Sequence, residues 1–448
     1  MTLIFVAHDT PEPALYGAMA AILADRLRLP LAHLAQEWDL AAYPDACQHA
    51  LAAGPLVVSG LIWHERLGGQ GAGAAKHWSE LPELPAGQDW VIPLGPAQLA
   101  ELPARLRALS DLAVDYQLVR VEISPRGLVF SRDGATQTAW GQWQRDAFGR
   151  WTRRDISPGA DPAPGLASAQ SPGMAPGDDF PAIDPALNSS PRAAPGAGPA
   201  MAPAAACPIG AAPLCIALLG SRRDQLDVYP AIAAALGDAA DALSLRLDIL
   251  FASPRQPLGD TLDRADGVLL PGGASMANVA GQIAAARYTL DNAIPTLGLC
   301  LGMQTMATAV AQRMLGSAEV NLAEAEPLAP IKSFVPLAET AGRPHHRLGD
   351  QTMLSVPGSR MHALLGDRSG MRYNHRFQLN PALKQSLENY GLRISATDDS
   401  GAIADGIEFT GHDFYLGVQG HPELSSARGR PHPLLMAFLT AAARRRKG

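Results

Sequence analysis

Gly298-Leu299-Cys300-Leu301-Gly302-Met303-Gln304 places one cysteine between two glycines. A short apolar stretch, residues 294–299, leads into it, and a helix-like stretch, residues 305–315, follows it. This is the pattern of a nucleophile elbow. A strand delivers one side chain into a sharp turn, and the flanking glycines leave room where a Cβ would clash. The helix that begins behind the turn offers unpaired N–H groups and the positive end of its dipole, which favour a thiolate and can hold a developing oxyanion. Cys300 is therefore the candidate nucleophile.

A cysteine nucleophile needs a base, a group to orient that base, and donors for the oxyanion. Phe414-Tyr415-Leu416-Gly417-Val418-Gln419-Gly420-His421-Pro422-Glu423 puts a histidine just after an apolar strand and a carboxylate two residues on. His421 is the candidate base and Glu423 its orienting partner. Leu270-Pro271-Gly272-Gly273 ends another strand on two glycines, so backbone N–H groups there can face a ligand unobstructed. The amides of Gly273 and Leu301 are the candidate oxyanion hole.

The chain carries 448 residues, 47% of them hydrophobic, and a formal net charge of −7. That length allows two or three cores, and two is the preferred count. The acidic balance and the lack of a long basic run argue against nucleic acid and against a polybasic membrane anchor. No apolar run reaches membrane-spanning length, and the start of the chain lacks the basic region of a secretory signal, so a soluble, cytoplasmic protein is expected. Four cysteines without a C-x-x-C pair point to reduced thiols rather than a disulfide framework or a metal site, with Cys47 and Cys215 as packing residues. The Arg444-Arg445-Arg446-Lys447 tail reads as a solvated helix end.

Between residues 157 and 210 the composition collapses into Pro, Ala, Gly and Ser. Such a stretch cannot offset the entropy of ordering and reads as a semi-flexible linker between domains 1–156 and 211–448. In the first domain, strands are expected at 3–7, 56–59 and 90–94 and a helix at 15–27. An antiparallel ribbon follows, carried by the alternation of Val119, Val121 and Ile123 and by Trp140, Trp143 and Trp151. The result is a small α/β domain with a β-rich end. In the second, continuous apolar strands at 214–219, 245–251, 267–270 and 294–299 alternate with helices such as 229–236 and 279–288. This predicts a doubly wound, mostly parallel sheet, with Cys300 at a strand's carboxyl end, where such sheets place their sites. Beyond Pro327 the strands look shorter and mixed, at 391–396, 406–409 and 414–418, before a closing helix at 431–446.

Three spaced motifs now come together: Leu269-Leu270-Pro271-Gly272-Gly273, the Cys300 stretch, and Gly417-Val418-Gln419-Gly420-His421-Pro422-Glu423. In that order they resemble a class I glutamine amidotransferase domain of flavodoxin-like fold. Gly302-Met303-Gln304, Asn321 with Glu324, Arg347-Leu348-Gly349 and Tyr373-Asn374-His375-Arg376-Phe377-Gln378-Leu379-Asn380-Pro381 resemble the glutaminase domain of the CTP synthase family in particular, over residues 212–442. The resemblance implies that Cys300 forms a γ-glutamyl thioester, with His421 and Glu423 completing the triad. It further implies that Gly272, Gln304, Glu324 and Arg376 contact L-glutamine, Glu324 meeting its α-amino group. Four positions depart from the family pattern. Ala274 stands where an aromatic is usual, residues 275–278 replace an Arg-Gly, Asn374 replaces a basic residue, and Gly420 replaces the aromatic before His-Pro-Glu.

The function expected from this reading is hydrolysis of glutamine and delivery of ammonia to an acceptor, a pyrimidine nucleotide or related carbonyl being the leading choice. A synthetase partner or a homo-oligomer is implied. Glutamine hydrolysis calls for no cofactor; a synthetase step would call on ATP and magnesium, for which residues 1–156 hold no G-x-x-x-x-G-K-[ST] motif. His8-Asp9-Thr10 and Gly17 sit where a phosphate loop would, a weak signal that assigns no nucleotide. Two other readings stay open: a regulatory or binding module of the same fold without turnover, and a hydrolase of another γ-glutamyl amide. Trp63-His64-Glu65-Arg66 reads as surface or core packing in preference to a site.

Overall fold

The computed structural model describes residues 1–8, 10, 12–112, 114–124, 127–132, 142–154, 212–340 and 343–446. The expected linker, Asp9, Trp140, Cys207 and Lys447 lie outside the described residues. Among the described residues no helix is long and apolar enough to cross a membrane.

Nine strands make the C-terminal sheet. Leu247–Ala252, Leu214–Leu219, Gly267–Leu270, Thr296–Leu299 and Tyr415–Val418 lie side by side in that order and run parallel. Ala404–Phe409, Leu392–Asp398, Arg347–Ser355 and Arg368–His375 extend it as an antiparallel wing. The parallel strands are the apolar runs legible in the sequence, because helices cover both of their faces. Arg347–Ser355 and Arg368–His375 are nine and eight residues long, not the short strands expected beyond Pro327. Their polar residues hid them: Arg347 pairs with Asp405 at 2.5 and 3.0 Å, and Arg372 pairs with Glu65 at 2.7 Å. A helix predicted at 305–315 begins earlier, at Leu301, and runs to Leu315, directly from the elbow. The helix predicted at 229–236 spans Ala231–Ala242 instead, behind a single wide turn, Asp224–Val228.

The N-terminal sheet sets Thr2–Ala7 parallel to both Trp90–Leu94 and Asp115–Ser124, with Gly127–Arg132 antiparallel at the edge. The hairpin Gln142–Arg145 with Trp151–Arg154 completes the expected β-rich end. The helix expected at 15–27 starts at Ala18, because Gly17 holds a left-handed φ of 79°. Only Leu56–Val57 of the 56–59 stretch is strand; Ser59–Leu61 turns into a short helix, Ile62–Arg66.

One apolar cluster runs through both halves, joining Met19, Ile22, Leu61 and Trp63 to Ile232, Leu236, Leu435 and Phe438. Polar contacts reinforce this seam. Arg66 pairs with buried Asp238 and donates to the Ser426 carbonyl at 2.8 Å, and Arg150 reaches Asp238 and Asp241 at 2.9 and 2.8 Å. Gly349 takes φ 85° where its backbone meets that of Gly54; a Cβ would sit 2.8 Å from the Gly54 Cα, so only glycine fits. The arginines Arg444, Arg445 and Arg446 stand exposed at the end of the closing helix, as expected, and two of them also reach back: Arg445 donates to the Ala265 carbonyl at 3.1 Å and Arg446 to that of Ala212 at 2.8 Å.

Candidate active site

The strand Thr296–Leu299 ends one residue before the helix Leu301–Leu315, and the single residue between them, Cys300, has φ 49° and ψ −107°. An L-residue with a side chain holds such a conformation only where the surroundings over-determine it, at a cost of about 1–3 kcal/mol. The constraint is visible on both sides. The Cys300 N–H donates to the Val418 carbonyl at 2.8 Å, and the Gln304 N–H bonds back to the Cys300 carbonyl at 3.2 Å. A Cβ on Gly298 would run into the Gly302 backbone, and one on Gly302 into the Leu270 carbonyl. The two glycines thus let strand, turn and helix pack at backbone distance. The sulfur lies between the Asn374 carbonyl at 3.8 Å and the Gln419 side-chain amide, which donates to it at 3.5 Å.

Tyr415–Val418 is the neighbouring parallel strand, so the loop after it arrives beside the elbow. His421 Nδ1 bonds Glu423 Oε1 at 2.8 Å, and the His421 backbone N–H donates to the Arg372 carbonyl at 2.8 Å. Nε2 is thereby left on the side of Cys300, with no hydrogen-bond partner among the described residues. Burial alone would keep the ring neutral. The negative charge of Glu423, and then that of the sulfur, overcome it and raise the imidazole well above its ordinary 6.5. Gly272 fits between the two groups: a Cβ there would lie 3.1 Å from His421 Cε1 and 3.3 Å from Cys300 Cβ. Leu301, first in its helix, has no intrahelical carbonyl for its N–H.

A small cavity of about 30 Å³, room for two or three waters, is lined by Cys300, His421, Glu423, Gly272 and Gly273. Asp45 and Gln48 of the N-terminal half, Asn374, and the buried Gln225 and Tyr229 complete its wall. The Tyr229 hydroxyl and Gln225 Oε1 have no hydrogen-bond partner among the described residues. Burial, then the charges of Glu423, Asp45 and Cys300, keep the Tyr229 phenol protonated well beyond its usual range.

The other predicted residues sit elsewhere. Gln304 lies beneath the thiol, donating to Gln419 Oε1 at 3.3 Å. Glu324 and Arg376 face each other outside this cavity; burial raises the Glu324 carboxyl and Arg376 opposes it. Arg376 donates to His346 Nδ1 at 3.1 Å, His346 Nε2 bonds Asn374 Oδ1 at 2.9 Å, and the Asn374 amide donates to Gln48 Oε1 at 2.8 Å. Burial first, then Arg376, lowers His346, and a neutral ring suits this relay of one acceptor and one donor nitrogen.

Sequence reasoning missed Asp45, Gln48, Gln225 and Tyr229. The first two lie in Tyr43-Pro44-Asp45-Ala46-Cys47-Gln48, a loop without periodicity that reaches the site only through the docking of the two halves. Gln419 stood inside a quoted motif, between the strand and His421. Trp63-His64-Glu65-Arg66 is a docking helix, with Trp63 in the core and Glu65 and Arg66 on the other half's Arg372 and Asp238.

Residues 226–441 match the model of the family described as "Glutamine amidotransferase class-I". CTP synthase of Acidothermus cellulolyticus is 35% identical over 243 residues, covering 51% of this chain and 44% of that protein. CTP synthase of Chloroflexus aggregans is 37% identical over 239 residues, covering 51% and 43%. The chain thus spans less than half the length of these curated relatives. A solved glutaminase domain of Trypanosoma brucei CTPS, with bound acivicin, is 28% identical and covers 52% of this chain and 94% of that one, at a TM-score of 0.49. The elbow, the strand order and the matched residues converge on one conclusion: the C-terminal half of this chain is a class I glutamine amidotransferase domain, related to the glutaminase domain of CTP synthase.

Proposed function

We propose that this domain hydrolyses L-glutamine through Cys300. The observation that carries the reading is the left-handed Cys300 at a strand-to-helix junction with the His421–Glu423 pair turned toward its sulfur. The thiolate attacks the side-chain amide carbon of glutamine, and the oxyanion so formed is held by the N–H groups of Gly273 and Leu301. The His421 imidazolium gives its proton to the leaving nitrogen, ammonia departs, and a γ-glutamyl thioester remains. His421, now neutral, takes a proton from water, whose oxygen attacks the thioester and releases glutamate and thiolate. Glu423 holds the ring and its positive charge throughout.

Gly272, Gln304, Glu324 and Arg376 are the proposed glutamine contacts, Glu324 taking the ammonium and Arg376 the carboxylate, as a zwitterion requires. Ammonia passes to an acceptor bound by the N-terminal domain, residues 1–156, or by a synthetase partner. The chain's relatives make a pyrimidine nucleotide or a related carbonyl the first acceptor to try. The test is glutamine-dependent ammonia release by the full chain: Cys300→Ala abolishes it if the reading holds. Release that survives the substitution overturns it. Labelling of Cys300 by a glutamine-like diazo-ketone, blocked by glutamine and not by other γ-glutamyl amides, separates glutamine from the other substrates.

A further inference from the structure

The departures from the family pattern are not scattered. Ala274 and Asn374, two of the four, are the residues that the N-terminal loop grips: the Ala274 N–H donates to Asp45 Oδ1 at 2.7 Å, and the Asn374 amide to Gln48 Oε1 at 2.8 Å and to the Gln48 carbonyl at 3.3 Å. A third, Gly420, leaves space that Met371 fills, next to Arg372, which Glu65 and the Ala50 carbonyl hold from the N-terminal side. Where an aromatic side chain would cover the turn after the double glycine, this chain has a methyl group and a carboxylate from the other half. A Cβ added on Gly273 would lie 3.3 Å from that carboxylate, tighter than ordinary contact, so the space beside the turn is taken by Asp45.

We propose that Asp45 is a positioning residue of the amidotransferase site, its carboxylate fixing the Gly272–Gly273–Ala274 turn so that the Gly273 N–H faces the oxyanion that forms on attack by Cys300. This rests on the reading of Cys300 as nucleophile. A glycine pair is free to rotate its peptide planes, and a donor aimed away from the oxyanion contributes nothing. One strong acceptor on the very next amide removes that freedom. The carboxylate is placed at a cost: burial first, and then Asp224, push the Asp45 carboxyl up to about 6, against the opposing pull of the Ala274 N–H and of His421. A loop that served only to hold the halves together would not need a half-buried carboxylate in the wall of the cavity that Cys300, His421, Glu423 and Tyr229 also line. The N-terminal half thus aligns the machinery that releases ammonia in the other half.

The experiment compares Asp45→Ala and Asp45→Asn in the full chain, reading kcat and KM for ammonia release and the hydrogen exchange of the peptide containing Ala274. Asn keeps an oxygen acceptor of the same shape; Ala keeps none. Asp45→Ala is expected to lower kcat about tenfold or more with KM within about twofold, and to speed exchange at Ala274 about tenfold, while Asp45→Asn stays within about threefold of the unaltered chain in both. Unchanged or raised kcat with Asp45→Ala overturns the proposal, a rise meaning that the carboxylate obstructs the site. So does a loss of kcat with unchanged exchange, or one that Asn does not restore. If the unaltered chain releases no ammonia, the functional reading fails, and the exchange comparison still decides whether Asp45 holds the turn.

Discussion

Two strand-to-helix junctions in this molecule share one backbone device and use it differently. In the N-terminal half, Gly17 takes a left-handed φ of 79° immediately before the helix Ala18–Leu27. In the C-terminal half, Cys300 takes φ 49° immediately before Leu301–Leu315. At Gly17 the conformation costs nothing, and the place a side chain would take is filled by Leu61. At Cys300 a β-carbon is kept in spite of the strain, and its sulfur stands beside an imidazole that a carboxylate orients. The first junction is packing; the second holds stored strain beside reactive groups. A positive φ on a residue with a side chain is therefore the informative observation, and the same angle on glycine is not.

The sharpest way to break the comparison is Glu423→Gln. It keeps the volume but removes the charge that supports imidazolium, and kcat for ammonia release should fall about 10²–10⁴-fold with the fold intact by circular dichroism. A loss below tenfold would mean the ring needs no orienting partner. Next is Gly17→Ala. It adds a strained φ and a clash with Leu61, so urea unfolding should show a loss of about 3 kcal/mol, with the ammonia activity of the surviving folded protein unchanged. Glu324→Ala should raise KM for glutamine about tenfold with little change in the turnover of a bound ester, since it removes ground-state binding. Equal losses in both would contradict its role. At Cys300 itself, Gly should be more stable than Ala by about 1 kcal/mol, the reverse of their order in a helix interior, because only glycine is relieved of the left-handed strain. The smallest effect is on a titration. The sulfur is one of the groups that raise His421, so Cys300→Ala should move its ring midpoint down when followed by NMR. The stability that His421 contributes is full below its unfolded 6.5 and is lost as pH rises through the raised folded value, so that loss should be smaller and complete at lower pH in the variant.

Much of this was legible before any coordinates. Leu214–Leu219, Gly267–Leu270 and Thr296–Leu299 are apolar along their whole length because helices cover both faces of a parallel sheet, and a run of that kind marks itself. Cys300, Gly272, Gly273, His421 and Glu423 were readable because each lies at the end of such a strand, and they meet at one cavity. Arg347–Ser355 and Arg368–His375 were not, because an antiparallel wing whose polar residues find partners within the sheet and across the seam shows neither alternation nor a continuous apolar run. Glu324 and Arg376 were singled out as glutamine contacts, yet no spacing rule shows that they interact with each other or that they stand apart from the small cavity at the sulfur.

What the sequence determined by itself is local: this elbow needs glycine, cysteine and glycine at alternate positions, 298, 300 and 302, and an orienting carboxylate two residues past a histidine reaches its ring without help from the rest of the chain. What only the tertiary structure decided is which distant loop closes over the thiol. Asp45 and Gln48 carry no periodic signal, and they meet Ala274 and Asn374 more than two hundred residues away because the apolar faces of the two halves share one core. Burial of that shared surface is non-directional and leaves no local pattern, whereas backbone sterics at a turn act between neighbours and are written in the residues themselves.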